Sequence, residues 1–263
     1  MERYGIAKAV VSISNPGIAV SGRKEAAGLA RRCNEYMKQL SVDHSGRFDA
    51  FAATPLPDVG ATLSEIQYAL DHVHVVGIGL LTNYAGIYLG DPHFDRVLAE
   101  LNAREAIVFV HPTSNPSAPF RALVPPPLIE FPHDTTWAIV SLTVHGAFSR
   151  YSRIKFIFSH AGGTMLSIGA RFSLLKDPDG IPAMDLLKRY YYDLALSATP
   201  FTLPALVNFI GADRNVFGSD FPFVPESVFK MFENNLANFA EEHRNVSSLI
   251  EKETANKLLT RSA

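Results

Sequence analysis

Two imidazoles and a carboxylate stand at similar places along this chain of 263 residues. His111, His160 and Asp220 each directly follow a short apolar segment, where a core side chain would be expected next. Imidazole and carboxylate groups together suit zinc, manganese or iron(II). A metal held by them would polarise a bound carboxylate or lower the pKa of bound water to about 7. The alternative is that each group caps a helix or hydrogen-bonds a loop.

The remaining histidines are weaker candidates. His72 and His74 precede a strand, which places them at the far end of the fold. His133 lies in a long loop from which it could reach a substrate, and His145 lies inside a helical segment, where a structural role is expected. His44, His93 and His243 are most simply interpreted as surface residues.

Short apolar segments alternate with longer amphipathic ones. The predicted strands are Ala7–Ile13, Phe48–Ala53, Val75–Leu81, Ala106–Val110, Ile154–Ser159, Tyr191–Leu196 and Val216–Ser219. The predicted helices are Gly22–Leu40, Ala61–His72, His93–Asn102, Thr135–Tyr151, Gly163–Lys176, Leu203–Ile210, Pro225–Phe239 and Ser247–Leu259. Such alternation predicts parallel strands joined by right-handed crossovers. In a parallel barrel, the residues that follow the strands meet at one end, where active sites form.

The fold class that we expect is α/β, a (β/α)8 TIM-like barrel. A doubly wound sheet is the alternative, but polar groups at three strand ends favour the barrel. Only seven strands are predicted, and the missing one would be the first. Residues 1–263 are expected to form a single domain, with one long proline-rich loop at Thr113–Asp134 that is typical of a lid or a partner contact.

Composition excludes several classes of function. The formal net charge of −2 gives no strong attraction to nucleic acid or to an anionic membrane. The single cysteine, Cys33, permits no intrachain disulfide and favours a reducing, cytoplasmic location. No apolar run is long enough for a membrane span. Gly77 and Gly79 lie within a strand without a third glycine, so the dinucleotide-binding fingerprint is absent.

Several segments resemble one known family. They are Phe109–Pro112, Phe158–Gly163 and Gly218–Pro222 around the three polar residues, together with Glu130–Thr136, Ala138–Ile139 and Gly77–Asp91. In this order they resemble the amidohydrolase-2 group, which includes amino-carboxymuconate-semialdehyde, γ-resorcylate and fungal 6-methylsalicylate decarboxylases. The last branch is the most similar, and the resemblance covers essentially the whole chain.

The resemblance implies a distorted (β/α)8 barrel of the metal-dependent hydrolase type, often dimeric, that binds zinc or manganese and uses no organic cofactor. It implies that His111 and Asp220 bind the metal and that His160 is the acid or base, with His160 as a possible third ligand. The family also places a His-x-His or Glu-x-His pair on its first strand, and this sequence begins after that point. The expectation is therefore either a shortened form of a complete enzyme or a metal-poor relative.

The function expected is metal-dependent, non-oxidative decarboxylation of a small aromatic, hydroxybenzoate-like carboxylic acid. Zinc is the first expectation and manganese the second, and a homodimer or higher homo-oligomer is expected. Tyr84, Phe131, Trp137 and Phe221 are candidates for the pocket wall, or else plain core aromatics, and His133 is a further substrate-binding candidate. One alternative is a hydrolase or hydratase with His160 as base, and another is an inactive homologue that binds a partner.

Overall fold

A computed structural model describes residues 1–18, 22–116, 124–243 and 246–260. Its main sheet has seven strands, which are β1 (Ala9–Val11), β2 (Phe48–Ala52), β3 (Gly77–Leu81), β6 (Ile107–His111), β7 (Lys155–Phe158), β8 (Tyr191–Asp193) and β9 (Asn215–Val216). They are paired in that order, and every pair is parallel. A small antiparallel hairpin, β4 (Asn83–Tyr84) and β5 (Ile87–Tyr88), follows β3.

Helices connect the strands. They are α1 (Arg23–Asp43), α2 (Val59–Tyr68), α3 (Asp95–Ala103), α4 (Pro126–Val144), α5 (Ala147–Arg150), α6 (Gly169–Phe172), α7 (Ala183–Leu187), α8 (Thr202–Ile210), α9 (Glu226–Glu242), α10 (Val246–Ser248) and α11 (Thr254–Leu259). Short 3₁₀ turns cover Glu2–Tyr4, Pro92–Phe94, His160–Gly162 and Ala212–Arg214, and single π turns cover Ala69–Val73 and Leu249–Glu253. Among the described helices, none has both the length and the apolarity that a membrane crossing requires.

Alternate residues of the strands face two separate apolar layers. Ile78, Val108 and Phe156 are fully buried in the large cluster shared with the helices. Ile107 and Ile157, one residue away, belong to a second cluster on the opposite face of the sheet. Because side chains alternate along a strand, His111 shares the face of Ile107. A parallel sheet covered on both faces agrees with the expected TIM-like α/β fold.

The sheet curls so that its first and last elements meet. The ring of Tyr4, which precedes β1, lies 4.9 Å from the ring of Phe229 on α9, which follows β9. Glu226 of α9 also pairs with Arg3 at 2.7 Å and with Lys230 at 2.8 Å. Within the described residues, β1 and β9 are the two edges of the sheet and do not pair with each other. The curvature therefore gathers the carboxyl ends of the strands at one mouth.

Two predicted strands end three residues earlier than expected. The sixth ends at Asp193, not Leu196, because the backbone turns there and Leu196 adopts a φ of +55°. The seventh ends at Val216, not Ser219, and the residues from there to Asp220 have no regular structure. In both places an apolar run continues past the end of the ladder, and hydrophobicity alone does not show where pairing stops.

The predicted loop at Thr113–Asp134 and the predicted helix at Gly163–Lys176 are both partly wrong. Helix α4 begins at Pro126, since two prolines occupy its first turn, where no amide donor is needed. Pro132 lies inside it, and residues 117–123 of the predicted loop lie outside the described residues. Of Gly163–Lys176, only Gly169–Phe172 is α-helical, because a series of positive φ angles precedes it.

A buried ion pair joins α1 to α2 and offers a stability test. The carboxylate of Glu65 is 5% exposed and accepts hydrogen bonds from Arg31 Nε at 3.0 Å, Arg31 Nη2 at 2.9 Å and Asn34 Nδ2 at 2.8 Å. Removing one partner of a buried pair costs about 3–5 kcal/mol. Because Arg31 is 37% exposed and can regain water, we expect Glu65→Ala to cost about 3 kcal/mol in chemical denaturation.

The matched control is Glu100→Ala, which removes a more exposed carboxylate that pairs with Arg104 at the end of α3. We expect that change to cost less than about 1 kcal/mol. Equal losses for the two variants would contradict the assignment of Glu65 as a structural anchor.

Candidate active site

Three strand ends bring His111, His160 and Asp220 together, as the sequence led us to expect. One donor atom from each lies within 4.8 Å of the others. The imidazole rings of His111 and His160 are 5.7 Å apart between centroids. His111 ends β6, His160 opens the turn after β7, and Asp220 lies in the turn after β9. The cluster therefore occupies the carboxyl-terminal mouth of the sheet.

The tautomer of His111 leaves one ring nitrogen free to donate a lone pair. Its Nδ1 lies 2.8 Å from the carbonyl oxygen of Pro112, which can only accept, so Nδ1 carries the proton. The other nitrogen, Nε2, is then unprotonated in the neutral ring. Burial, with a smaller contribution from the neighbouring His160, lowers the pKa of His111 to about 4. The ring is therefore neutral near pH 7, the form that binds a metal.

His160 occupies a turn with an unusual backbone. His160 and Ala161 both adopt left-handed angles, with φ of +53° and +56°. The backbone amide of His160 donates to Oδ1 of Asp193 at 3.0 Å. Burial lowers the pKa of His160, while the charge of Asp220 acts in the opposite direction. Burial and a neighbouring carboxylate shift the pKa of an imidazole in opposite directions, and such tuning suits a group that donates or accepts a proton.

The far side of the His160 turn is packed against α4. Gly163 lies so close to α4 that a Cβ there would be 2.0 Å from the carbonyl oxygen of Pro132. The next amide, of Thr164, donates to Thr136 Oγ1 at 2.9 Å and to the Pro132 carbonyl at 3.3 Å. The histidine turn is thus fixed on one side by Asp193 and on the other by α4.

Asp220 also has a left-handed backbone, with φ of +51°. Its pKa is raised by burial, lowered by the charge of His160 and raised again by Asp193. The amide of Phe221 donates to Ser219 Oγ at 3.3 Å, which tightens the turn around it. A nearby cation would stabilise the charged form of a carboxylate in such surroundings.

A hydrogen-bond network around Asp134 joins α4 to the segment after His111. Asp134 accepts from Thr82 Oγ1, from Asn83 Nδ2 at 3.0 Å and from Tyr88 OH at 2.7 Å. The amide of Thr113 donates to Thr82 Oγ1 at 3.1 Å. Burial raises the pKa of Asp134, and these donors oppose that rise. The network fixes the path of the chain just beyond His111.

Comparison with known protein families identifies the family of this chain. The amidohydrolase family matches residues 3–258. This protein belongs to the amidohydrolase family. The expected resemblance is thereby confirmed, although the individual site roles that it implies stay predictions.

Two curated relatives extend over most of this amidohydrolase. Decarboxylase yanB of Aspergillus niger is 34% identical, in an alignment that covers 99% of this chain and 77% of the relative. The 6-methylsalicylic acid decarboxylase of Penicillium expansum is also 34% identical, with 86% and 74% covered. This chain is therefore similar, over most of its length, to enzymes named as decarboxylases.

Two solved structures have the same fold. An amidohydrolase II structure is 27% identical and superimposes with a TM-score of 0.91, covering 98% of this chain and 86% of the other. A dihydroxybenzoic acid decarboxylase from Polaromonas sp. JS666, solved with manganese and 2-nitroresorcinol, is 21% identical with a TM-score of 0.86, covering 98% and 83%. At that identity the second likeness concerns the fold alone.

The predicted pocket aromatics of the amidohydrolase lie in different environments. Phe131 is buried, and its ring centroid is 6.2 Å from that of His111 in an edge-on arrangement. Tyr84 lies in the core against Phe94, and its hydroxyl accepts from the amide of Leu81 at 3.0 Å. Of the predicted wall residues, Phe131 is the one whose contact with the cluster the structure records.

The other candidates are exposed. Trp137 is 58% exposed on α4, and Phe221, next to Asp220, is 83% exposed. His133 is exposed as well, with its Nδ1 3.4 Å from Thr164 Oγ1. These positions place them on the rim and the outer surface, and their roles in substrate binding stay predictions.

Asp193 is a site residue that the sequence pattern does not single out. It falls within the predicted apolar strand Tyr191–Leu196, where a carboxylate inside such a run is the one available signal. The structure places it at the end of β8, 6% exposed, with burial raising its pKa to about 7. It lies in the same layer of strand ends as the other polar groups.

The donor set fits a divalent metal. Two imidazole nitrogens and one carboxylate oxygen converge, and burial keeps the His111 ring neutral near pH 7. Two histidines with a carboxylate form a ligand set used for catalytic zinc and for iron(II). The Nδ1 contact of His111 with Pro112 is the kind of outer hydrogen bond that orients a ligating imidazole.

Proposed function

We propose that this amidohydrolase is a metal-dependent, non-oxidative decarboxylase of a small aromatic carboxylic acid. The observation that carries the proposal is the convergence of His111, His160 and Asp220 at the mouth of the sheet. The two relatives named as decarboxylases, each 34% identical over most of the chain, support the reaction class. A hydroxybenzoate-like substrate is suggested by the Penicillium expansum relative, which is named as a 6-methylsalicylic acid decarboxylase.

His111 and Asp220 would hold the metal, through Nε2 of the neutral ring and a carboxylate oxygen. When bound, the metal supplies a positive charge that holds the substrate carboxylate and stabilises developing negative charge. Zinc is the metal first expected. The manganese in the dihydroxybenzoic acid decarboxylase structure gives a second candidate.

His160 is the proton donor in this proposal. The bond between the ring carbon and the carboxylate breaks, carbon dioxide leaves, and the electron pair stays on the ring carbon. A proton from the imidazolium of His160 forms the new carbon–hydrogen bond, and solvent then returns a proton to the imidazole. Phe131, which lies edge-on to His111, would give the substrate ring an apolar surface at this mouth.

We also propose that one strand position remains between β1 and β9. The two edges are brought towards each other by the contact of Tyr4 with Phe229, yet they are not paired with each other in the described residues. A strand added there would pair with both edges, complete an eight-stranded barrel and lie beside the metal-binding cluster. The homo-oligomeric state and the cytoplasmic location stay predictions from the sequence.

The test is carbon dioxide release from a panel of hydroxybenzoates that includes 6-methylsalicylate and 2,6-dihydroxybenzoate. The protein is first stripped with a chelator and then reloaded with zinc or manganese, and its metal content is measured. We expect release to disappear on stripping and to return on reloading. A metal-loaded protein that releases carbon dioxide from no substrate would reject the proposal. Incorporation of labelled water into a product would favour the hydrolase or hydratase alternative.

A further inference from the structure

Asp193 lies close to two backbone segments of the active site. Its Oδ1 accepts from the amide of His160 at 3.0 Å and from the amide of Ala195 at 2.9 Å. Gly218, two residues before Asp220, packs so closely that a Cβ there would be 3.2 Å from the same oxygen. One buried carboxylate therefore hydrogen-bonds the backbone of the turn that carries His160 and lies close to the segment that leads to Asp220.

The turn that Asp193 contacts is strained. A left-handed backbone costs a non-glycine residue about 1–2 kcal/mol, and His160 and Ala161 both adopt one. Such conformations persist only where the surroundings hold them. On the amino side of the pair, the hydrogen bond from the His160 amide to Asp193 provides that support. A hydrogen bond to a carboxylate is about twice as strong as one to a neutral oxygen.

The backbone angle of His160 sets the direction of its side chain. If φ relaxed from +53° to the usual negative range, the bond from Cα to Cβ would turn away from its present direction. The ring would then leave its position 5.7 Å from His111. Proton transfer depends on such geometry, and a misplacement of 1 Å can cost about 10²-fold in rate.

We propose that Asp193 is a positioning residue for His160, which it holds in a left-handed turn so that the imidazole faces the substrate. The catalytic consequence of this assignment rests on the proposed decarboxylase function, whereas the effect on the conformation of His160 does not. In this role Asp193 acts through the backbone amide of His160 and not on the reacting atoms.

Two substitutions separate the hydrogen-bond acceptor from the rest of the side chain. Asp193→Ala removes the acceptor, and we expect kcat to fall about 10²-fold with KM and metal content little changed. Asp193→Asn keeps an acceptor oxygen of the same shape, and we expect it to restore kcat to within about tenfold of the wild type. Both rates are corrected for the folded fraction at the assay temperature.

Asp177 provides the matched control. It is also buried, at 5% exposed, and its Oδ1 accepts from the amides of Asp179 at 3.0 Å and Ile181 at 2.8 Å in the turn between α6 and α7. Asp177→Ala therefore removes a comparable buried acceptor outside the strand-end layer. We expect it to lower stability while leaving kcat, corrected for the folded fraction, unchanged.

A crystal structure of Asp193→Ala gives a readout that does not depend on the reaction. We expect His160 to leave its left-handed conformation and its ring to move away from His111. An unmoved ring, an unchanged kcat, or an Asn variant as inactive as the Ala variant would each overturn the positioning role. If the wild type decarboxylates no substrate, the proposed function fails, and the position of the His160 ring still decides the assignment of Asp193.

Discussion

Replacement of His160 by asparagine is expected to lower kcat for carbon dioxide release about 10²- to 10⁴-fold, the range that a general acid contributes. The imidazole of His160 is half-buried, lies close to Asp220 and is held by its backbone towards His111. Asparagine removes the proton donor while keeping a polar group of similar size in the turn. Steady-state kinetics with a metal-loaded protein measures the effect.

Metal content distinguishes the two roles that His160 can take. If it is the acid, the asparagine variant retains the metal of the wild type and loses kcat with little change in KM. If it is a ligand, the metal is lost along with activity, as we also expect for His111→Ala. The control is His145→Asn, because His145 is an exposed residue that follows α4 and whose Nδ1 contacts the carbonyl of Ser141. Full activity in the His160 variant would contradict both roles.

The convergence of His111, His160 and Asp220 could be predicted from the sequence because their positions follow from one simple rule. Each stands after an apolar strand, and parallel strands in a curled sheet end at the same mouth. His111 continues the face of Ile107 by the two-residue alternation of the strand. That rule requires only the order of the elements, so it tolerates errors of a few residues in the predicted strand ends.

The hydrogen bonds that hold these residues in place could not be predicted, because they join distant segments of the chain. The hydrogen bond from the His160 amide to Asp193 joins residues 33 positions apart, and that from Thr82 to Asp134 joins residues 52 apart. A local pattern cannot indicate which carboxylate accepts from which backbone amide. The first part of helix α4 is predicted to be a loop for a related reason, because its prolines locally favour a loop. Packing of Phe131, Ala138 and Ile139 against the core compensates for that preference.

These supports also explain how a site built on short strands can be rigid. Strands β8 and β9 contribute three and two residues, too few for the ladder alone to fix the turns beyond them. Buried side chains take over that task by accepting from turn amides, as Asp193 does for His160. The backbone of α4 acts in the same way, because the Pro132 carbonyl accepts from Thr164. Precision at the mouth thus depends on tertiary hydrogen bonds more than on the sheet.

Substitution of Gly163 by alanine is expected to destabilise the fold more than the loss of the Glu65 carboxylate does. An added Cβ would lie 2.0 Å from the carbonyl oxygen of Pro132 and 3.0 Å from Thr136 Oγ1, and both belong to a packed helix. Gly163 also has φ of +71° and ψ of −128°, a region that residues with a side chain rarely adopt. Overpacking and backbone strain together predict a loss of about 3–5 kcal/mol in the free energy of unfolding.

Gly46→Ala separates the strain from the clash. Gly46 has φ of +76°, but a Cβ added there would meet no atom within 4 Å, so its substitution adds strain without overpacking. We expect that variant to lose about 1–2 kcal/mol and to keep full activity. In the folded fraction of Gly163→Ala, by contrast, the turn must withdraw from α4 and displace His160, so kcat falls as well. Equal losses of stability in the two variants, measured by chemical denaturation, would show that α4 does not hold the histidine turn.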